Sequence, residues 1–105
     1  ADVWANNQKV VVLTMKNTGE GQLHLEFTGF DDPYFNNAYI TSVSPYSGDV
    51  LAGDSMDVYV TFDATGYGNG SYNAPLLCVT NELAPNNHII PTTMNVTIPA
   101  TFAGI

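Results

Sequence analysis

The carboxylates are the residues that could most readily do chemistry in this chain, and they lie in three small groups. The groups are Asp31 with Asp32, Asp49 with Asp54, and Asp63 near Asn69. Calcium takes about six to eight oxygen ligands, and none of the groups has the Asp-x-Asp-x-Asp-Gly loop that supplies them. A calcium site stays open as an alternative where Asp31, Asp32, Asn36 and Asn37 fold together, against turn formation and solubility as the other reading.

Histidine and cysteine are too few and too scattered for catalysis or metal binding. His24 and His88 are far apart, and neither has a neighbouring cysteine or second histidine. No Gly-x-Ser-x-Gly motif is present to hold a nucleophile. Cys78 is the single cysteine, so it forms no intrachain disulfide, and its neighbours Leu77 and Val79 predict an inert core thiol. We therefore expect a domain without catalytic, cofactor-binding or metal-binding residues.

Aromatic residues near the ends of the predicted strands offer a second kind of site. They are Tyr34, Phe35, Tyr39, Tyr46 and Tyr67. Exposed flat rings beside polar loop groups could stack on sugar rings, as in carbohydrate-binding sandwiches. The other interpretation is that these rings plug the ends of the core, and we favour it because all five fall at strand ends.

The charge balance excludes several partners. The chain has 105 residues and a formal net charge of -8, with Lys9 and Lys16 as its only cations. Without a basic patch it cannot neutralise phosphates, so nucleic acid and anionic membrane surfaces are poor partners. No apolar run approaches the roughly 18 residues that cross a bilayer. We expect one domain spanning residues 1–105, with a lead-in at 1–8 and a tail at 99–105.

The hydrophobic pattern predicts β-strands throughout. We expect strands at residues 9–16, 23–28, 38–44, 56–62, 72–80 and 89–98. Residues 9–16 are a β-branched run that could be covered on both sides, and they either pair with 23–28 or turn a sandwich corner. Trp4 is expected to seal one end of the core. About seven short strands separated by turn signals are typical of an all-β sandwich.

The stretch from 54 to 72 organises this pattern. Phe62 belongs to an alternating apolar face, while Gly66 and Gly70 allow the sharp turn that follows it. Tyr72 comes just after the expected crossing between sheets, the setting of a tyrosine corner, in which the hydroxyl bonds to upstream backbone. These four residues are therefore predicted to be structural.

Several short motifs occur in one order along residues 9–98. They are Asn17-Thr18-Gly19, Ser47-Gly48 with Leu51 and Gly53-Asp54-Ser55, Val58 to Gly66, Gly70-Ser71-Tyr72, and Thr80 to Pro85. In this respect the chain resembles the immunoglobulin-like accessory domains of bacterial secreted and surface proteins, the abnormal-spindle and hydin-like group, often C-terminal to subtilisin-like peptidases. It departs from the usual pattern at Ala52-Gly53, where Pro-Gly is common, and at the extra residue in Asp49-Val50.

The resemblance implies an immunoglobulin-like antiparallel β-sandwich without catalytic activity. We expect a spacer or docking domain of a larger exported bacterial protein, plausibly a peptidase, acting outside the cell or at its surface. Its expected partners are other domains of the parent chain, with protein or polysaccharide as further partners, and neither nucleic acid nor membrane insertion. The alternative function is a carbohydrate-binding module that uses the loop aromatics.

Overall fold

The computed structural model describes residues 1–30, 37–82 and 87–98. In these ranges the chain forms eight β-strands and no helix. The strands are β1 (Asp2–Trp4), β2 (Gln8–Lys16), β3 (Leu23–Thr28), β4 (Ile40–Ser44), β5 (Ser47–Val50), β6 (Ser55–Asp63), β7 (Gly70–Thr80) and β8 (Asn87–Thr97). The prediction of an all-β fold is confirmed.

The strands form two sheets. One has five strands in the order β1-β8-β7-β3-β5, and the other has three in the order β2-β6-β4. The pairing of β1 with β8 is parallel, and the other described pairs are antiparallel. Because β2 and β3 lie in different sheets, their connection is a sandwich corner and not a hairpin of paired strands.

Strand β6 is the central strand of the smaller sheet, and it has the single buried face that its alternation predicts. It pairs with β2 on one side and β4 on the other. Val58, Val60 and Phe62 are buried at every second position, while Tyr59 between them is exposed. A strand with one apolar face buries that face against the opposite sheet. From the opposite sheet, the core receives Leu25, Phe27, Leu76, Cys78, Met94 and Val96.

The run of valines in strand β2 is covered on one side only, and not on both sides as its sequence allowed. Val10 and Val12 are 56% and 52% exposed, whereas Val11 and Leu13 face the core and are half-buried. The physical reason is that the outer face of the three-stranded sheet has no described layer packed on it. The alternation of burial is therefore that of a strand covered on one side.

The first residues of the chain are a strand and not only a lead-in. In β1, Val3 is buried at 4% and pairs with Val96, while Trp4 is 55% exposed. The expectation that the Trp4 indole seals the core is therefore wrong, and the neighbouring valine takes the buried position. Successive side chains of a strand point to opposite faces, so only one of these two residues can point inward.

The connection predicted between residues 46 and 55 contains strand β5. It pairs with β3 from Leu23↔Val50 to Glu26↔Ser47, and Val50 is buried. The other predicted strands are present with shifts of about two residues at their ends, as is usual at element boundaries. Ile98, expected as part of the last apolar face, lies after β8 and is exposed.

Candidate docking surfaces

The crossing between the sheets contains the residues predicted to be structural. Strand β6 ends at Asp63 in the small sheet, and β7 begins at Gly70 in the large one. Gly66 and Gly70 have φ angles of 82° and 151°, which L-residues with side chains rarely adopt. The Asp63 carboxylate accepts a hydrogen bond from the Thr65 backbone N–H at 2.9 Å. This bond holds the first residues of the turn.

Tyr72 makes the bond that a tyrosine corner requires. Its hydroxyl donates to the Gly68 carbonyl at 2.7 Å, four residues upstream. Its ring packs edge-on against Tyr67, with centroids 5.0 Å apart and planes at 79°. The effect of this bond on stability stays a prediction.

The described loop aromatics fall into two environments. Tyr39 is buried, stacked on Phe62 at 5.9 Å, and lies edge-on to Tyr67 at 5.9 Å. Burial raises the pKa of the Tyr39 phenol, whose oxygen is 3.0 Å from the Thr92 hydroxyl. Tyr46, by contrast, is 57% exposed. Tyr39 and Tyr67 therefore pack against other aromatic rings of the domain.

Two of the residues named for glycan stacking, Tyr34 and Phe35, lie outside the described residues. For Tyr67, the edge-on contacts with Tyr39 and Tyr72 occupy part of the ring. Tyr46 alone among the described loop tyrosines presents a largely exposed ring. Sugar stacking therefore stays a prediction that depends mainly on Tyr46 and on residues outside the described ranges.

Each histidine is bonded to one carboxylate at the surface. His24 Nδ1 lies 2.8 Å from Asp49 Oδ1, and His88 Nε2 lies 2.9 Å from Glu82 Oε1. Hydrogen bonds from the Thr80 hydroxyl and from His88 lower the pKa of Glu82. No group of three or more metal-ligating side chains occurs within residues 1–30, 37–82 and 87–98. His24 thus forms an exposed pair across two strands, and His88 forms an exposed pair with a residue six positions away in the sequence. Exposed pairs of this kind contribute little to stability.

Cys78 occupies the place expected of a core thiol. Its side chain is 1% exposed on the inner face of β7. Burial raises the pKa of the thiol, so that the nucleophilic thiolate is disfavoured.

The calcium alternative rests largely on residues outside the described ranges, namely Asp31, Asp32 and Asn36. Asn37, its remaining member, is buried with 0% exposure. The Asn37 amide nitrogen donates to the Gly29 carbonyl at 2.8 Å and to the Pro75 carbonyl at 2.9 Å. Its amide nitrogen thus joins two backbone segments, a role that is not evident from the sequence.

Asn17 has a similar role at the opposite loop. Its amide nitrogen donates to the carbonyls of Gly21 at 2.7 Å and Val50 at 2.9 Å, and its oxygen accepts from the Gly19 N–H at 2.9 Å. In the sequence Asn17 is recognisable only as part of a turn motif, and its tie to β5 is visible only in the structure. The signal was an asparagine directly before a glycine-containing turn.

An apolar area is exposed on the outside of the three-stranded sheet. Val12 of β2 is the register partner of Tyr59 of β6, and Val10 lies on the same face of β2. These three side chains are each about half exposed and form what we call the outer patch. The Thr14 hydroxyl donates to the Asp57 carboxylate at 2.8 Å beside it, so the patch has a polar border.

A second apolar feature lies at the side of the sandwich, between β2 and β8. It is a cleft of about 200 Å³, which we call the side cleft. Its lining is Ala1, Val11, Leu13, Val60, Phe62, Leu76, Ile90, Pro91, Thr92 and Thr93. Ala1, the residue before β1, lies at the cleft, so the cleft and β1 are neighbours along β8. No helix within the described ranges has the length and apolarity of a membrane span.

Solved structures share this fold at low sequence identity. The crystal structure of the CsuC–CsuE chaperone–tip adhesion subunit pre-assembly complex, from archaic chaperone-usher Csu pili of Acinetobacter baumannii, aligns with a TM-score of 0.65 and 13% identity. That alignment covers 90% of this chain and 48% of the other, so the present chain spans about half the length of its neighbour.

The ASH/PapD-like domain 7 of human CEP192 aligns with a TM-score of 0.60 and 16% identity, over 96% of this chain and 82% of that one. The fold is therefore an immunoglobulin-like β-sandwich, as predicted. A comparison with curated protein sequences gave no match.

The sequence model of one domain family matches most of the chain. The family is described as "HYDIN/CFA65/VesB-like, Ig-like domain", and the match covers residues 2–92. This range runs from β1 into β8 and includes the sheet crossing and both asparagine-tied loops. The chain belongs to the HYDIN/CFA65/VesB-like family of immunoglobulin-like domains.

Proposed function

We propose that the chain is a non-catalytic docking domain of a larger exported bacterial protein, such as a secreted peptidase, and that it packs against another domain of that parent protein. Membership of an immunoglobulin-like domain family supports an accessory role. The observation that carries the proposal is the outer patch of Val10, Val12 and Tyr59.

The composition of the outer patch suits an interface between domains. Two valines and a tyrosine are held side by side on paired strands, so they form one rigid apolar surface. Grouped exposed apolar side chains with a polar border mark interaction sites more often than scattered single ones do. Covering them removes apolar area from water at no cost in new backbone order, because both strands are already paired.

The environments of four described titratable groups support a mechanical role and not a chemical one. His24 and His88 are each bonded to a carboxylate, Asp63 holds a turn, and the Cys78 thiol is buried with a raised pKa. Each of these groups is thereby engaged in the structure of the domain. The action of the domain is then to present a fixed surface at a fixed distance from its neighbours.

The test compares the isolated domain with the full-length parent protein by amide hydrogen exchange. We expect slower exchange in β2 and β6 in the parent, and we expect Val12→Asp to abolish that difference. The matched control is Ile89→Asp, an apolar residue that is also exposed but lies on the five-stranded sheet. It should leave the protection unchanged. Equal exchange rates in the isolated domain and in the parent would refute docking through this patch.

A further inference from the structure

The outer face of the five-stranded sheet carries a row of apolar side chains along β7 and β8. In β7 the residues at positions 74, 76 and 78 are buried in the core, so the alternate positions point away from it. The apolar residues at the outward positions of the two strands are Pro75, Leu77, Val79, Ile89 and Pro91. We call these five residues the β7–β8 patch.

The β7–β8 patch is continuous across the two strands. Leu77 is the register partner of Ile89, and Pro75 is the register partner of Pro91. Side chains directly opposite on one face of an antiparallel pair have Cβ atoms about 4.5–5.5 Å apart, so these pairs are neighbours. Ile89 is 69% exposed, the highest value among the large apolar residues that the structure describes. Grouped exposed apolar side chains mark an interaction site, whereas single ones are ordinary.

Polar groups border the patch at one end and along one side. At the end, the Thr93 hydroxyl donates to the Asn73 carboxamide oxygen at 2.8 Å across the two strands. Along the side towards β3, Glu26 is exposed and is the register partner of Val79. Glu26 forms no ion pair with another residue of the described ranges. The patch is thus flanked by a carboxylate without a countercharge.

The distribution of charge selects a basic partner for this face. Lys9 and Lys16 are the only cations of the chain besides histidine, and both lie in β2 of the three-stranded sheet. Beyond β3, the carboxylate of Asp49 in β5 is already bonded to His24. A basic group of a partner seated on the patch would therefore find Glu26 free beside it.

Backbone pairing leaves nothing on this face for a strand to join. β7 pairs with β8 at Gly70 to Val79 and with β3 at Leu77 to Thr80. A partner seated on the face therefore contacts side chains, and it has to satisfy its own backbone N–H and C=O groups. An α-helix does so within itself.

The width and length of the patch fit a helix. Two strands cover about 10 Å, and a helix with its side chains is about 10–12 Å across. The row from Pro75 to Val79 is about 13 Å long, which corresponds to about nine helical residues. A second sheet would need a wider apolar face, but the outward residues of the next strand, β3, are His24, Glu26 and Thr28.

We propose that the β7–β8 patch binds an amphipathic helix of a partner polypeptide, with the apolar stripe of the helix along the two strands and basic residues on the flank that faces Glu26. A shallow depression of about 440 Å³ at the proline end of the patch has Pro75, Ile89 and Pro91 in its lining. It provides a place for one large apolar side chain of the helix. Such anchors in the centre of an interface carry most of its binding energy.

The β7–β8 patch is independent of the outer patch used for docking within the parent protein. Ile89 belongs to the five-stranded sheet and Val12 to the three-stranded one, and each points outward from its own sheet. A substitution at one of these positions therefore tests one surface and serves as the control for the other. Failure of helix binding and failure of domain docking can in this way be told apart.

The test is a nuclear magnetic resonance titration of the isotope-labelled chain with a synthetic helical peptide of about 18 residues. The peptide has an alanine background, leucines at the i, i+3, i+4, i+7 spacing and lysines along one flank of the leucine stripe. One control peptide has glutamates in place of the lysines, and another has the same composition with the leucines distributed around the helix. We expect saturable shifts of β7 and β8 with the first peptide and far weaker shifts with both controls.

Variants of the chain show which side chains the peptide contacts. Ile89→Asp should weaken binding about tenfold or more, and Val12→Asp should leave the affinity within about twofold. The high exposure of Ile89 predicts that its variant folds, and a thermal unfolding curve checks this. If the Ile89→Asp variant is unfolded, Ile89→Ser takes its place and should also weaken binding.

A second pair of variants tests the charge. Glu26→Gln should weaken binding about two- to fivefold at low salt, and the difference should shrink as salt is added. Glu20→Gln removes the same charge from an exposed position between β2 and β3, away from the patch. It should change the affinity by less than about twofold.

Four results would overturn the proposal. The first is a set of peptide-induced shifts on β2 and β6 in place of β7 and β8. The second is equal binding of the lysine and glutamate peptides, and the third is an unchanged affinity in a folded Ile89→Asp variant. The fourth is a set of β7 and β8 shifts that depends on the concentration of the chain alone, which would assign the patch to a second copy of the domain.

Discussion

The Asn37 side chain donates to the Pro75 carbonyl at 2.9 Å, although 38 positions separate the two residues. The same amide nitrogen donates to the Gly29 carbonyl at 2.8 Å. The backbone pairing of β3 with β7 ends at Thr28↔Leu77, so both carbonyls lie just beyond the last paired residues. Asn37 therefore continues the join between these strands with a side chain where backbone pairing has stopped.

Replacing Asn37 with alanine would leave two part-buried carbonyls without this donor. We expect Asn37→Ala to lower the free energy of unfolding by about 2–4 kcal/mol, since each buried group left unsatisfied costs about 1–3 kcal/mol. Urea denaturation at neutral pH measures this change. The control is Asn87→Ala at an exposed position in β8, which should change stability by less than about 0.5 kcal/mol. Equal losses in the two variants would show that the bridge contributes nothing.

The Tyr72 hydroxyl gives a second test of the crossing between the sheets. Tyr72→Phe keeps the ring against Tyr67 and removes only the donor to the Gly68 carbonyl. We expect a loss of about 0.5–1.5 kcal/mol in the free energy of unfolding. Thermal unfolding of the variant beside Tyr46→Phe, whose ring is exposed, measures it. If both variants unfold at the temperature of the parent, Tyr72 is not a stabilising tyrosine corner.

The strands that were predicted correctly are those whose own side chains carry the signal. Strand β6 alternates Val58, Val60 and Phe62 with polar or exposed residues, and period-2 alternation requires one buried face whatever surrounds it. Strand β1 carries no such signal, because three residues are too few to show a period. Only its pairing with β8 makes Val3 a core residue.

The outer patch was missed for a different reason. A run of valines has the same β-propensity whether one or both of its faces are covered. What decides the exposure of Val10 and Val12 is the absence of a described layer over the three-stranded sheet, and that depends on the order of all the strands. The side cleft likewise depends on which strands the fold brings together, because its lining comes from β2, β6, β7 and β8.

Asn37 shows why the role of a candidate site residue could not be assigned from the sequence alone. An asparagine that follows Asp31 and Asp32 by a few residues is compatible with a cation ligand, a turn former or a clamp on the backbone, since its amide can both donate and accept. The choice depends on which carbonyls the fold brings within 3 Å or so of the amide. In this chain they come from Gly29 and Pro75, and Pro75 belongs to a strand distant in sequence.

Substitutions of two glycines distinguish the cost of a strained backbone from the cost of a steric clash. An added Cβ would meet no atom within 4 Å at either Gly66 or Gly21, but Gly66 has a φ of +82° and Gly21 has an ordinary φ. We expect Gly66→Ala to lower the free energy of unfolding by about 1 kcal/mol or more, because a side chain is strained at positive φ. Gly21→Ala should be neutral or stabilising by up to about 1 kcal/mol. Chemical denaturation of both variants measures the contrast, and equal effects would contradict the strain at Gly66.

The lowered pKa of Asp63 predicts how the stability of the domain depends on pH. Hydrogen bonds from the Thr65 hydroxyl and backbone N–H, and from the Gln8 amide, lower the pKa of this carboxyl below its usual range. A carboxyl whose pKa is lower in the folded state stabilises that state above its unfolded pKa, and the stabilisation is lost as the pH falls through the folded pKa.

Asp63→Asn keeps an acceptor oxygen for the Thr65 N–H but removes the charge. The difference in thermal midpoint between the parent and this variant should therefore be largest near neutral pH and shrink as the pH falls towards about 2. Thermal unfolding followed by circular dichroism across this range measures the difference. Because the carboxyl is largely exposed, the effect should be small and should weaken with added salt. A difference that stays constant over the whole range would mean that the charge of Asp63 does not stabilise the turn.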